Sequence, residues 1–314
     1  MPYISVVTPV YNAVNIVDEL YARLVENLEK ITSDFEIIMV NDACPHGSGK
    51  KIAALAQKDK RVKFIDLARN FGQHIAISAG LDYAEGDYVV VMDCDLQDPP
   101  EKIGVMLDEL QKSGKEVIFA IRQNRKDSFI KKLESKIFNV IIRILTDKIY
   151  NEKERTVNFS IITHKVVLAY RRMKERRRDY SSIVRYCGFK WAYIFIEGQE
   201  RFEGESSYTF IKSVRHAISI VLQQSVKPLF ISVFLSACCF LISCVYGISI
   251  LYNKINGCYD ADGYTGIIFV VTLIGALIFF VMSVTNLYIS AIFDEVRARP
   301  LYIVNNKINI DKDI

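Results

Sequence analysis

The chain has 314 residues, 51% of them hydrophobic and 24% charged, and its formal net charge is +4. This length accommodates one large domain or two smaller ones, and the mean hydropathy of +0.16 is high for a soluble protein. The seven cysteines show neither zinc-ligand nor redox-motif spacing, which argues against a zinc or disulfide framework and predicts reduced thiols.

Strand and helix patterns alternate over roughly the first 120 residues. The predicted strands cover residues 3–8, 36–40, 62–67, 88–93 and 116–120. The predicted helices cover residues 16–28, 50–57, 74–83 and 101–111. This alternation predicts an α/β domain built on a doubly wound, mainly parallel sheet that helices cover on both faces.

The end of the fourth predicted strand carries the most informative residues of the chain. Its apolar run ends in Asp93 and Asp95, with Cys94 between them, at the edge of the sheet where α/β folds bind ligands. In an extended chain both carboxylates point to the same side, and their charges repel unless a cation lies between them. Such oxygen ligands suit Mg²⁺ or Mn²⁺. The alternative is an acidic strand end in which Asp98 caps the next helix.

Polar residues also follow the first three predicted strands. They are Thr8-Pro9-Val10-Tyr11-Asn12, Val40-Asn41-Asp42 and Arg69-Asn70-Phe71-Gly72-Gln73-His74. Because the carboxyl ends of parallel strands meet at one edge of a sheet, we expect these residues to form one rim with residues 93–97. The rim then offers an aromatic platform, two acidic positions and a metal position, which are the groups that hold a nucleoside diphosphate.

The C-terminal half of the chain shows patterns typical of membrane association. Residues 128–145 form an amphipathic helical pattern that either packs on the domain or lies in the bilayer interface. A similar pattern at residues 208–224 favours the interface. Residues 228–252 and 264–292 contain no charged side chain, and each segment exceeds the roughly 20 residues that a membrane-spanning helix needs.

These patterns predict an integral membrane protein with two spans, in the plasma or inner membrane if the source is bacterial. Basic residues on the outer flanks of the spans place both termini in the cytosol, and no signal peptide is expected before the domain. Small residues within the spans permit close helix contact and a homo-oligomer. The expected organisation is a cytosolic domain at 1–207, a juxtamembrane amphipathic helix at 208–227, a two-helix transmembrane region at 228–293 and a cytosolic tail at 294–314.

Five sequence motifs together resemble one enzyme family. They are TPVYN at 8–12, VNDACPHGS at 40–48, RNFGQH at 69–74, MDCDLQDPPE at 92–101 and ERFEGESSY at 200–208. The set is similar to family 2 glycosyltransferases of the GT-A fold, and within them to polyprenyl-phosphate sugar transferases. These include dolichyl-phosphate mannose synthase and the bacterial two-span bactoprenol-phosphate glycosyltransferases. The chain departs from the family at Ala43 and Cys44, where glycine and serine are common, which leaves the base preference open.

The resemblance implies roles for residues in four groups. The nucleotide base and ribose would contact Pro9, Tyr11 and Asp42. The divalent cation and the diphosphate would be held by Asp93, Asp95 and Gln97, with Asp95 counted as catalytic. The acceptor phosphate would meet the catalytic Arg122, assisted by Lys132 and Ser135. The loop that closes over the donor would contain Arg201, Gly204 and Ser206. The alternative for Arg201 is an ordinary surface arginine that forms a salt bridge.

The implied activity is inverting transfer of a sugar from a UDP- or GDP-sugar to a membrane polyprenyl phosphate, either undecaprenyl or dolichyl phosphate. It would occur on the cytosolic leaflet, for cell-wall, cell-surface or lipid glycosylation. A lipid phosphate is already anionic and needs no general base, whereas a hydroxyl acceptor in polysaccharide synthesis would need a base such as His74 or Asp98.

Two classes without transferase activity also remain open. A transporter or channel subunit would carry ionisable residues in its spans, and these spans contain none. A nucleic-acid binder is suggested only by clusters of basic residues, without a binding motif. We therefore expect no nucleic-acid partner.

Overall fold

The computed structural model describes residues 3–123, 158–176, 178–197, 227–256 and 263–311. The chain divides into two compact units, one of residues 1–128, 154–207 and 299–314 and one of residues 129–153 and 208–298. The amphipathic helices predicted at 128–145 and 208–224 lie outside the described residues. So do five of the predicted site residues, namely Lys132, Ser135, Arg201, Gly204 and Ser206.

The first unit contains eight described strands and six helices of more than one turn. The strands are β1 Ile4–Val10, β2 Phe35–Asn41, β3 Val62–Leu67, β4 Tyr88–Val91, β5 Val117–Gln123, β6 Ser160–Thr163, β7 Trp191–Glu197 and β8 Val304–Ile308. The helices are α1 Val17–Glu29, α2 Ser48–Lys58, α3 Gln73–Tyr83, α4 Ile103–Ser113, α5 His164–Arg172 and α6 Tyr180–Tyr186. A short 3-10 turn at Pro100–Lys102 precedes α4.

All eight strands form one sheet in the order β7-β5-β6-β4-β1-β2-β3-β8. Four neighbouring pairs are parallel, namely β1 with β2, β1 with β4, β2 with β3 and β5 with β7. Strand β6 runs antiparallel between β4 and β5, and β8 runs antiparallel to β3. The predicted α/β class with a mainly parallel sheet is confirmed, and the two antiparallel strands make that sheet a mixed one.

Helices cover both faces of the sheet, as the continuous apolar strands predict. On one face, Leu20 and Leu24 of α1 pack in the same buried cluster as Ile4 and Val6 of β1. On the other face, Val7 belongs to a second cluster that includes the apolar residues of α3. A side chain on Gly80 of α3 would overlap Val7, so glycine lets α3 approach the sheet closely. This approach brings the first residues of α3 to the rim.

The C-terminal segment of the chain belongs to this sheet. The sequence pattern assigned residues 294–314 to a tail and did not predict β8, which pairs with the edge strand β3. Asn309, which follows β8 with a φ of 60°, donates side-chain hydrogen bonds to the carbonyls of Ala56 at 2.6 Å and Val62 at 2.8 Å. The amide side chain thus ties the chain terminus to the end of α2 and the start of β3.

The second unit contains two long helices, α7 Lys227–Ile255 and α8 Gly263–Val296. Among the described residues, one segment, Leu273–Val296, is long and apolar enough to cross a membrane. The apolar segment Lys227–Cys239 of α7 is shorter. One candidate span is therefore found, and the second predicted span is not confirmed.

We predict that Asn309→Ala lowers the free energy of unfolding by about 1–2 kcal/mol, because buried carbonyls lose their donor. Asn306→Ala is the matched control, since Asn306 is exposed on β8 and its side chain accepts a hydrogen bond from the neighbouring amide of Lys307. Thermal unfolding of the full chain in detergent measures the effect. Equal midpoints for the two variants would contradict the anchoring role of Asn309.

Candidate active site

The site lies at the rim where four parallel strands end. Strands β4, β1, β2 and β3 are neighbours in the sheet, so their carboxyl ends lie side by side. The chain continues from β4 through Met92 into Asp93, from β1 into Tyr11, from β2 into Asp42 and from β3 into Ala68. The predicted convergence of polar residues at one edge therefore follows from the observed strand order.

The acidic residues after β4 lie on a turn rather than on an extended strand. Strand β4 ends at Val91, and the chain turns through residues 94–95 to Leu96, which has a left-handed φ of 58°. The carboxylate of Asp95 accepts a hydrogen bond from the amide of Gln97 at 3.1 Å, which stabilises the turn. The extended geometry expected for Asp93 and Asp95 was wrong, because the strand stops two residues before Asp93.

Two neutral amide side chains hold Asp93 in place. Gln73, the first residue of α3, donates to Asp93 Oδ1 at 2.5 Å, and Asn158 donates to the same oxygen at 3.2 Å. Burial raises the pKa of Asp93, and the charge of Asp95 raises it further. The two carboxylates are thus close enough to repel, as the sequence spacing predicted, although a turn brings them together.

Arg122 on β5 lies beside these carboxylates. Its Nε and Nη2 atoms donate to Asp98 Oδ1 at 2.8 and 2.5 Å, and its Nη1 donates to Gln97 Oε1 at 2.7 Å. Only 1% of the Asp98 side chain is exposed, against 21% for Arg122. Burial raises the pKa of Asp98 to about 7, with a further contribution from the charge of Asp93. The alternative that Asp98 caps the next helix was wrong, since neither the 3-10 turn nor α4 has a side-chain cap.

The part of the rim at the ends of β1 and β2 combines a buried carboxylate with an exposed ring. Asp42 is buried and accepts hydrogen bonds from the amides of Phe71 at 2.7 Å and Gly72 at 2.8 Å. Burial raises the pKa of Asp42 despite these bonds. Tyr11 is 47% exposed, whereas Pro9 is buried within β1. Asp42 therefore holds the loop after β3, and its contact with a nucleotide stays a prediction.

An open pocket of about 760 Å³ is lined by Asn41 and Ala43 at the end of β2 and by Asp66 and Leu67 at the end of β3. Asp66 on its wall accepts hydrogen bonds from the side chains of Asn41 at 2.7 Å and Asn305 at 2.9 Å. Asn305 belongs to β8, so the C-terminal strand contributes a wall to this edge of the sheet. His46 and Lys50 also line the pocket.

His74, the second residue of α3, is occupied by contacts with the protein. Its Nδ1 accepts the amide hydrogen of Tyr180 at 3.3 Å, and its Nε2 lies 3.5 Å from Asp179 Oδ1. Burial alone would raise the pKa of Asp179, but electrostatic attraction to the His74 ring and hydrogen bonds from Ser182 outweigh it and lower the pKa. His74 is thus a structural partner of the N-terminus of α6.

The comparison with protein families decides the assignment. The model for glycosyl transferase family 2 matches residues 5–192, which is more than half of the chain. The chain belongs to glycosyl transferase family 2. It is therefore an enzyme, a glycosyltransferase, as the motifs predicted, and the mixed sheet is consistent with the GT-A fold.

Relatives of this glycosyltransferase match along nearly its whole length. The glycosyltransferase YkcC of Bacillus subtilis is 34% identical over 98% of this chain and 94% of its own length. The glycosyltransferase sll0501 of Synechocystis is 30% identical over 96% and 95%. An undecaprenyl-phosphate 4-deoxy-4-formamido-L-arabinose transferase of Proteus mirabilis is 28% identical over 98% and 95%.

The fold of this glycosyltransferase brings together only some of the predicted site residues. Gln97 and Arg122 are in direct contact, and they lie beside the mutually repelling Asp93 and Asp95. Pro9, Tyr11 and Asp42 lie on or just after neighbouring strands. The sequence did not predict that the side chains of Gln73 and Asn158 bind Asp93. Gln73 lies within the motif at 69–74, whereas Asn158 carries no local sequence signal.

No group of three or more His, Cys, Asp or Glu suited to a metal is found in the described ranges.

We predict that Asp179→Asn destabilises the glycosyltransferase at neutral pH, with the loss shrinking in acid. A carboxyl with a lowered folded-state pKa contributes stability above its ordinary value of 3.8, and that stability disappears as the pH falls through the lower folded value. Melting temperatures of both proteins between pH 7 and 3 measure the effect. A difference that is constant across this range would contradict the linkage.

Proposed function

We propose that this glycosyltransferase moves a sugar from a nucleoside diphosphate sugar to the phosphate of a membrane polyprenyl phosphate. The transfer inverts the configuration at the anomeric carbon and takes place at the cytosolic leaflet. The donor is a UDP- or GDP-sugar, and the acceptor is undecaprenyl or dolichyl phosphate. The name of the Proteus mirabilis relative, an undecaprenyl-phosphate sugar transferase, supports the acceptor class.

The observation that carries the proposal is the fixed guanidinium of Arg122. It lies beside the turn at residues 93–98, here called the acidic turn. Arg122 is anchored by Asp98 and Gln97, and a guanidinium binds phosphate oxygens in a defined orientation. A phosphate monoester has its second pKa near 6, so it is largely dianionic at neutral pH and attacks without losing a proton. The reaction then requires the protein to position the acceptor phosphate, which a fixed guanidinium does.

The base that a hydroxyl acceptor would require has no strong candidate among the residues described around the rim. Both ring nitrogens of His74 face protein atoms, the amide of Tyr180 and the carboxylate of Asp179. Asp98 is buried and bonded to Arg122. The two side chains that the sequence left open as bases are therefore engaged elsewhere, which favours an acceptor that arrives already ionised.

A divalent cation fits the residues of the acidic turn. Asp93 and Asp95 supply carboxylate oxygens that repel each other in the absence of a positive charge, which matches the preference of Mg²⁺ or Mn²⁺. When bound, the cation neutralises the negative charge that develops on the leaving diphosphate. Within the described residues Asp93 Oδ2 accepts no hydrogen bond, since both amide donors bind Oδ1. Gln97 completes the proposed set.

The other roles complete the proposal. Tyr11, Pro9 and Asp42 hold the base and ribose at the ends of β1 and β2. Lys132 and Ser135 assist Arg122 at the acceptor, and Arg201, Gly204 and Ser206 close over the donor. Leu273–Val296 supports membrane anchoring, and the proposal includes a second span at residues 228–252 with both termini in the cytosol.

We expect Asp95→Asn to abolish sugar transfer and leave the protein folded and membrane-bound, because the amide lacks the charge that the cation requires. The matched control is Asp18→Asn, which removes an exposed ion pair between Asp18 on α1 and Lys51 on α2 and should retain activity. Transfer is measured with membranes, Mg²⁺, labelled nucleotide sugars and undecaprenyl phosphate. Full activity of Asp95→Asn at saturating donor and cation would remove its metal role.

The acceptor class is tested by the product. We expect a lipid-extractable product that mild acid cleaves, formed only with polyprenyl phosphate and lost on addition of EDTA. Excess Mg²⁺ or Mn²⁺ should restore it. A water-soluble glycoside formed equally well without lipid, or turnover unaffected by EDTA, would contradict the proposed function.

A further inference from the structure

Asp98 is the one buried carboxylate of the acidic turn to which neither the family resemblance nor the proposed cation assigns a role. It lies between Gln97 and Pro99, and only 1% of it is exposed. Burying a carboxylate is costly unless it is paired, and removing one partner of a buried pair leaves an uncompensated charge. A residue that adds a third negative charge beside Asp93 and Asp95 therefore calls for a physical reason.

The reason lies in how Asp98 holds Arg122. One carboxylate oxygen accepts from both Nε and Nη2, at 2.8 and 2.5 Å, while Gln97 accepts from Nη1 at 2.7 Å. A guanidinium has five N–H donors in a rigid planar fork. Three of them are committed to these two partners, and within the described residues the remaining two are left for a ligand. Lysine cannot be oriented in this way, because its ammonium group is not planar.

The position of the pair in the fold makes it an anchor across the sheet. Asp98 follows β4, and Arg122 lies on β5, which is separated from β4 by β6. The carboxylate is held in the interior, and Pro99 and Pro100 restrict the backbone immediately after it. The Arg122 side chain remains 21% exposed, so Asp98 fixes it from within while part of it stays accessible to solvent.

We propose that Asp98 is a positioning residue for transfer, which orients the Arg122 guanidinium to receive the phosphate of the polyprenyl acceptor. The inference rests on the proposed function, and it adds a specific consequence. Loss of Asp98 impairs the use of the acceptor, and it leaves binding of the nucleotide sugar nearly unchanged. A merely structural role would affect both substrates and the folded state together.

The test compares steady-state constants of the full-length enzyme in detergent for Asp98→Ala, Asp98→Asn, Arg122→Ala and the double variant Asp98→Ala/Arg122→Ala. Asp108→Ala is the control, because Asp108 is an exposed aspartate on α4 that faces Lys112. We expect Asp98→Ala to lower kcat/KM for undecaprenyl phosphate by about 10- to 100-fold, as expected for a misplaced catalytic group. The KM for the nucleotide sugar should stay within about twofold, in line with a binding interaction left intact.

The double variant separates positioning from an independent role. If Asp98 acts through Arg122, the double variant is no slower than Arg122→Ala alone, and Asp98→Asn, which keeps an acceptor oxygen, recovers part of the activity. Multiplicative losses in the double variant, or equal losses for donor and acceptor, would overturn the inference. If Asp98→Ala does not fold, the same comparison is made with Asp98→Asn and Asp98→Asn/Arg122→Ala. A wild-type enzyme that uses no polyprenyl phosphate overturns the proposed function instead, and the acceptor role of Asp98 with it.

Discussion

Three carboxylates lie within the six residues 93–98, just after β4, and the balance of their charges governs the rest of the site. Asp93 and Asp98 have raised pKa values, first because desolvation disfavours their charged forms and then because each lies near other negative charges of the turn. Arg122 offsets one of these charges through direct bonds to Asp98. The remaining pair, Asp93 and Asp95, faces a site where a positive charge is favoured. An anionic donor and an anionic acceptor could not approach this turn without that compensation.

The fold supplies this arrangement through strand order. Adjacent parallel strands β4, β1, β2 and β3 place their following loops side by side, so residues distant in sequence meet at one edge. Strand β5 adds Arg122 from beyond the antiparallel β6. The close packing of α3 on β1, permitted by Gly80, sets Gln73 against Asp93. The geometry of the candidate site is therefore a property of the sheet and its helices as much as of any single motif.

Much of this could be predicted from the chain itself, and the limits have physical causes. Apolar runs marked β1 to β5, because strands buried on both faces must be apolar throughout. Strand β8 has the sequence Val-Asn-Asn-Lys-Ile, which contains no such run. Its strand structure comes from hydrogen bonding to β3. The motif at 92–101 identified the carboxylates, yet it allowed Asp98 to be a helix cap. Only the fold shows that Arg122, 24 residues later, is its partner. Asn158 reaches Asp93 across 65 residues, a contact that no local pattern signals.

The proposed transfer depends on a divalent cation between the acidic turn and the donor diphosphate. The most direct measurement is a crystal structure of the enzyme with Mn²⁺ and a nucleoside diphosphate, using anomalous scattering to locate the metal. The account predicts an anomalous peak about 2.0–2.3 Å from carboxylate oxygens of Asp93 or Asp95, and diphosphate oxygens in contact with it. A diphosphate bound at the rim without metal, or a metal bound away from both carboxylates, would contradict it.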